Sequence, residues 1–168
     1  MIAIIDYDAG NLKSVEKALK FIGEETIITR DRKEIFKADK VILPGVGSFG
    51  NAMEKMWKYN LVDTMKELTV KKTPFLGICL GLQLLFESSE ESPDVQGLSI
   101  LEGDIIKIPG AEGLKIPHIG WNSLNIQKDA RLFQNIEDNS YVYFVHSYYL
   151  KAKNKDEVTA ILKNFSLI

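Results

Sequence analysis

The chain has 168 residues and a mass of 19.0 kDa, with 45% hydrophobic and 26% charged residues and a mean hydropathy of −0.06. These values describe a folded globular domain and exclude a low-complexity chain or a fibre. The 21 basic and 23 acidic residues give no footprint for nucleic acid or an anionic membrane surface, one cysteine excludes an internal disulfide, and the lack of an apolar leader or span makes the cytoplasm the expected location.

Ile2-Ala3-Ile4-Ile5 is an apolar run closed by Asp6, and past Gly10-Asn11 the residues Leu12, Val15, Leu19 and Ile22 recur at helical spacing. This predicts strand, turn and helix, with Gly23 as the stop. Thr26-Ile27-Ile28-Thr29 reads as a second strand and residues 30–38 as a short polar helix or loop. Lys40-Val41-Ile42-Leu43-Pro44 reads as a third strand, ahead of the glycine-rich Gly45-Val46-Gly47-Ser48-Phe49-Gly50. Helices over 52–57 and 61–71 follow, with Asn60 as a cap between them. A fourth apolar run, Pro74-Phe75-Leu76-Gly77-Ile78, leads into a helical pattern over 80–87. Non-alternating apolar runs separated by helices predict an α/β fold with a mostly parallel sheet covered on both faces. Beyond Pro93 the segments 99–102, 104–108, 123–126 and 141–145 read as short strands divided by Gly and Pro turns, an antiparallel annex in the second half. Ile161 to Phe165 has the pattern of a terminal helix. With no linker or repeat, residues 1–168 are expected to form a single domain.

Gly77-Ile78-Cys79-Leu80-Gly81 lies between a predicted strand and a predicted helix. Glycines two residues either side of a nucleophile permit the tight turn that exposes it, and the Leu80 amide then points toward a developing oxyanion. A helix N-terminus favours the thiolate. The competing reading, a small buried cysteine at a strand end, leaves both glycines unexplained. Pro44-Gly45-Val46-Gly47 also follows a strand terminus, where open α/β sheets gather ligands. Its glycines fit a plain turn almost as well, and its spacing is not that of a dinucleotide loop.

Together these motifs resemble the class I glutamine amidotransferases. The segments Ile5 to Leu12, Pro44 to Gly50, Gly77 to Gln83, Pro117-His118-Ile119-Gly120-Trp121-Asn122 and Tyr143-Phe144-Val145-His146-Ser147-Tyr148 narrow the resemblance to the family of glutaminase subunits of imidazole glycerol phosphate synthase. Asp8 stands where that family usually has glycine. The resemblance implies a flavodoxin-like amidotransferase fold, no cofactor and no metal. It implies Cys79 as nucleophile, with Val46, Gly47 and Leu80 as oxyanion donors. Glutamine would be held by Gln83, Glu91, His146, Ser147 and Tyr148; composition alone reads Glu91 as one solvated charge in an acidic cluster. Asn11, His118, Trp121 and Asn122 would face a TIM-barrel cyclase subunit that consumes the ammonia for histidine biosynthesis. Composition alone reads Trp121 equally well as a core residue, and Asn11 as a helix cap.

One expectation of the resemblance is unmet. The family carries its histidine base and orienting glutamate as Phe-His-Pro-Glu near the C-terminus, and this sequence has no such motif. Its two histidines, His118 and His146, match other family segments. A missing stretch of about 30 residues between 160 and 161 would restore the usual domain length. Two alternatives stand beside a glutaminase of the histidine pathway: a paralogue feeding ammonia to another synthase, such as one amidating a sugar, and a non-catalytic partner subunit.

Overall fold

A computed structural model describes residues 1–110, 115–127 and 130–162, which fall into two compact units, Met1–Leu101 and Glu102–Ile168. The first unit is built around four parallel strands, β1 (Ile2–Ile5), β2 (Thr26–Thr29), β3 (Lys40–Gly45) and β4 (Phe75–Cys79), in the order β2-β1-β3-β4. Its helices are α1 (Leu12–Phe21), α2 (Arg32–Lys37), α3 (Phe49–Lys58), α4 (Leu61–Val70) and α5 (Leu80–Gln83). All four strand positions agree with the apolar runs. Every residue of β1 is buried, as are Val41 to Gly45 of β3, because a central parallel strand is covered on both faces.

The order also locates a topological switch point. From β1 the chain steps one way to β2 and then back past β1 to β3 and β4. Right-handed crossovers therefore put α1 on one face of the sheet and α2, α3 and α4 on the other. The reversal falls between β1 and β3, and sheets of this kind take ligands at the carboxyl ends of the strands beside such a point. The expected helix caps differ in detail: Asn11 and Asn60 occupy the cap positions of α1 and α4 in the left-handed conformation (φ 70° and 54°) but give no side-chain capping bond.

The helix expected over 80–87 is only α5, one turn long. Beyond it the Leu84 carbonyl accepts from Leu98 N and the Leu85 carbonyl from Ile100 N and Leu101 N, so tertiary bonds replace the helical ladder. The same bonds prevent the strand expected at 99–102, where Ser99 is left-handed (φ 52°). A two-residue strand, β5 (Ser88–Ser89), follows α5.

The second unit is antiparallel, as expected. It contains β6 (Gly103–Lys107), β7 (His118–Ile126), β8 (Tyr141–His146), β9 (Tyr148–Ala152) and β10 (Ala160–Leu162). β7 pairs with β8 at one end and with β10 at the other, while β6 pairs with β9. The helix expected from Ile161 begins instead as a strand, because residues 160–162 extend the ladder opposite Leu124, Asn125 and Ile126; residues 163–165 lie outside the described residues. Among the described residues no helix is long and apolar enough to cross a membrane.

Candidate active site

The elbow between β4 and α5 is drawn tight by glycine. Gly77 and Gly81 flank Cys79, and Gly45 is its register partner on β3. A Cβ at Gly81 would lie 1.8 Å from the Leu43 carbonyl oxygen, one at Gly45 2.3 Å from the Gly81 nitrogen, and one at Gly77 2.6 Å from Leu82 Cα. Only glycine lets these three backbones touch. Cys79 itself has φ 55° and ψ −120°, a region that a residue with a side chain occupies only when its surroundings impose it. The turn leaves the thiol exposed, with the Leu80 amide next in the chain.

The loop after β3 is bracketed on both sides. Tyr7 Oη donates to the Pro44 carbonyl (2.8 Å), and a Cβ on Gly10 would stand 3.1 Å from Val46 Cγ2. Gly47 has φ 95° with nothing near its Cα hydrogens, so conformation rather than space requires glycine there. On the far side, α3 begins at Phe49. Ser48 gives that helix no side-chain cap; the Glu91 carboxylate takes the Phe49 amide instead (2.7 Å), and Ser92 Oγ accepts from Gly50 N (3.1 Å). Glu91 is thus a partly buried helix cap beside the loop, not a solvated member of an acidic cluster. Gln83 is half-buried at the end of α5. Cys79, Val46, Gly47, Leu80, Gln83 and Glu91 all belong to the first unit.

The loop leaving β1 is tied by groups that motif reading overlooks. Arg30 Nη2 donates to Asp6 Oδ2 (2.7 Å) and Asp8 Oδ1 (2.6 Å), and its guanidinium stacks 4.0 Å over the Tyr59 ring. Tyr59 Oη donates to the other Asp8 oxygen, and Lys55 Nζ to the Asp8 carbonyl. The Tyr59 and Arg30 hydrogen bonds hold the Asp8 carboxyl below its usual range. Asp8 has φ 62°, which explains the family's glycine there; the aspartate occupies that conformation under three anchors, Arg30, Tyr59 and Lys55. The signal that finds this cluster is Asp-Tyr-Asp directly after an apolar strand, with Arg30 directly after the next one.

The remaining candidate residues lie in the second unit, where β7 and β8 present two unlike faces. On one, Trp121 meets Tyr143 edge to face (ring centroids 5.6 Å apart), flanked by Ile119, Tyr141 and Val145. All five are more than half exposed, Trp121 at 68%. On the other, His118, Phe144 and His146 cluster with ring centroids 5.2 to 5.5 Å apart. His146 Nδ1 lies 3.0 Å from the Tyr148 carbonyl, an acceptor, so Nδ1 carries the proton and Nε2 accepts from His118 Nδ1 at 3.1 Å. Burial, then the neighbouring His146, lowers the His118 pKa. Asn122 is buried, its Oδ1 accepting from Ser123 N. Trp121 is therefore set on the opposite face of the ladder from His118 and Asn122, with which the sequence grouped it. Ser147 joins β8 to β9, its carbonyl accepting from Ile108 N, and Tyr148 pairs with Lys107. Asn11 is exposed at the start of α1.

Residues 3–166 match the family described as glutamine amidotransferase class-I. The imidazole glycerol phosphate synthase subunit HisH 1 of Methanococcus maripaludis is 48% identical over 162 residues, covering 95% of this chain and 79% of that protein. The HisH subunit of Bacillus thuringiensis subsp. konkukian is 52% identical over 157 residues, covering 92% and 73%. Among solved structures, a glutamine amidotransferase superposes with a TM-score of 0.73 at 17% identity, over 95% of this chain and 79% of that one. A glutamine amidotransferase of Thermotoga maritima does so with 0.61 at 18% identity, over 90% and 62%. The structures carry the fold, and the sequences the family: the chain belongs to the class I glutamine amidotransferases, and within them to the HisH subunits of imidazole glycerol phosphate synthase.

Proposed function

We propose that the chain is the glutaminase subunit of a cytoplasmic two-subunit enzyme of histidine biosynthesis. Cys79 attacks the side-chain amide carbon of glutamine, and the Val46, Gly47 and Leu80 amides take the negative charge that forms on its oxygen. The carbon–nitrogen bond then breaks and ammonia leaves. Water attacks the glutamyl thioester, releasing glutamate and returning the thiol. Gln83 and Glu91, which belong to the same unit as Cys79, hold the charged end of glutamine. The ammonia passes to a TIM-barrel cyclase that docks on the Trp121 face, an exposed aromatic surface suited to anchoring a partner. The left-handed Cys79, fixed by three backbone contacts that only glycine allows, carries this reading.

The proton acceptor for Cys79 belongs to a segment between 160 and 161 that this sequence lacks, and its presence would part Ala160 from Ile161 within β10. Two observations support that. The two histidines are engaged with each other. The match reaches only 73 to 79% of the relatives' length.

Glutamate release measured with and without the cyclase and its nucleotide substrate tests the assignment. Slow release alone and faster release with the loaded cyclase is the expected result. Release that the cyclase leaves unchanged points to another synthase, and cyclase binding with no release points to a non-catalytic subunit, the reading favoured by the absent Phe-His-Pro-Glu. Intact mass of the protein isolated from its source decides the missing segment: several kilodaltons above 19.0 kDa supports it, and 19.0 kDa overturns it.

A further inference from the structure

Tyr7 is 1% exposed and lies two residues past β1 in the loop tied by Arg30. A phenylalanine would fill the same volume without burying a hydroxyl, which needs a partner once it leaves water. The hydroxyl has one, the Pro44 carbonyl at 2.8 Å. That carbonyl belongs to the peptide that leads out of β3 into the loop of Val46 and Gly47. On one side Gly45 is pressed against the Gly81 nitrogen; on the other Gly47 has φ 95° and empty space around it. The peptide between 44 and 45 is thus held by the elbow from one direction and by Tyr7 from the other.

Tyr7 is itself fixed from both neighbours. Asp6 N donates to the Thr29 carbonyl (3.0 Å), Asp8 N donates to Asp6 Oδ1 (3.0 Å), and both carboxylates take Arg30. Burial raises the phenol pKa, and the hydroxyl stays a donor to the Pro44 carbonyl.

We propose that Tyr7 is a positioning residue of glutamine hydrolysis: through its hydrogen bond to the Pro44 carbonyl it fixes the base of the loop whose Val46 and Gly47 amides receive the oxyanion. This rests on the assignment of those two amides made above. Tyr7 touches neither glutamine nor the reacting atoms. It sets the position from which Val46 and Gly47 leave β3, so its loss leaves substrate affinity intact and lowers the rate of the step in which the oxyanion forms.

Tyr7→Phe removes only the hydroxyl. Thr64→Val on α4, also buried and hydrogen-bonded to Arg32 and the Asn60 carbonyl, serves as a comparison of similar structural cost. Both are assayed for glutamine hydrolysis with the cyclase present, and by amide hydrogen exchange at Val46 and Gly47 in the same complex. For Tyr7→Phe the expected result is kcat down about fivefold with KM within about twofold, and exchange at the two amides up about fivefold, the worth of one buried hydrogen bond. Thr64→Val changes neither. Unchanged exchange in Tyr7→Phe, faster exchange with unchanged kcat, or the same kcat loss in Thr64→Val each overturns the proposal. Should the unaltered protein hydrolyse no glutamine, the glutaminase reading fails, and exchange alone decides whether Tyr7 holds the loop.

Discussion

The two units spend their residues differently. In the first, β1 and β3 are buried along almost their whole length, and three glycines bring backbones into contact so that one cysteine can adopt a left-handed turn. In the second, antiparallel strands leave Ile119, Trp121, Tyr141, Tyr143 and Val145 open on one face, and the described interior is carried by few residues, among them Ile105, Ile108 and Leu162. On the proposed assignment, a nucleophile at Cys79 needs rigid surroundings that over-determine its backbone, whereas a docking face at Trp121 needs apolar surface left uncovered. The two proposed roles make opposite demands on packing.

Substitutions chosen from each unit break or sharpen that contrast. The largest effect is expected for Cys79→Ala, which removes the nucleophile: glutamate release falls on the order of 10⁶-fold to background while the cyclase still binds. Retained release in a coupled glutamate assay removes the elbow from the mechanism. Gly81→Ala comes next, because its Cβ meets the Leu43 carbonyl and neither backbone can yield. It should cost about 3 kcal/mol, the upper part of the overpacking range, and lower the Tm by roughly 6–12 °C. A calorimetric shift under 2 °C would mean that the elbow is looser than its contacts imply. The smallest effect on folding belongs to Trp121→Ala. It should move the Tm by less than about 2 °C yet weaken cyclase binding about 30-fold, the loss of one anchoring aromatic. A large fall in Tm with unchanged binding would turn that face into core and erase the distinction between the units.

How much of this was legible in the sequence follows the same divide. The four parallel strands and the elbow were readable because buried strands are written as continuous apolar runs and because Gly77 and Gly81 bracket Cys79 in plain sight. The short α5 was not, since its end is set by carbonyls of Leu84 and Leu85 bonding residues more than a dozen positions away. β9 escaped for a different reason. Only Ser147 separates it from β8, with no Gly, Pro or Asn to mark a boundary, yet the chain changes partner there from β7 to β6. The cap formed by Glu91 and the cluster around Arg30 join groups from separate elements, and only the fold brings them together.

Asp8 carries a consequence for how this protein drifts over generations. Glycine at that position adopts the left-handed turn unaided and needs neither Lys55 nor the Tyr59 hydroxyl, while Arg30 keeps its bond to Asp6 and its stacking on the Tyr59 ring. Aspartate adopts it here with the support of Arg30, Lys55 and Tyr59, so the four residues have become epistatic. A change at 55 is therefore cheap beside glycine and costly beside aspartate, whereas a change at 30 also breaks the bond to Asp6 in either background.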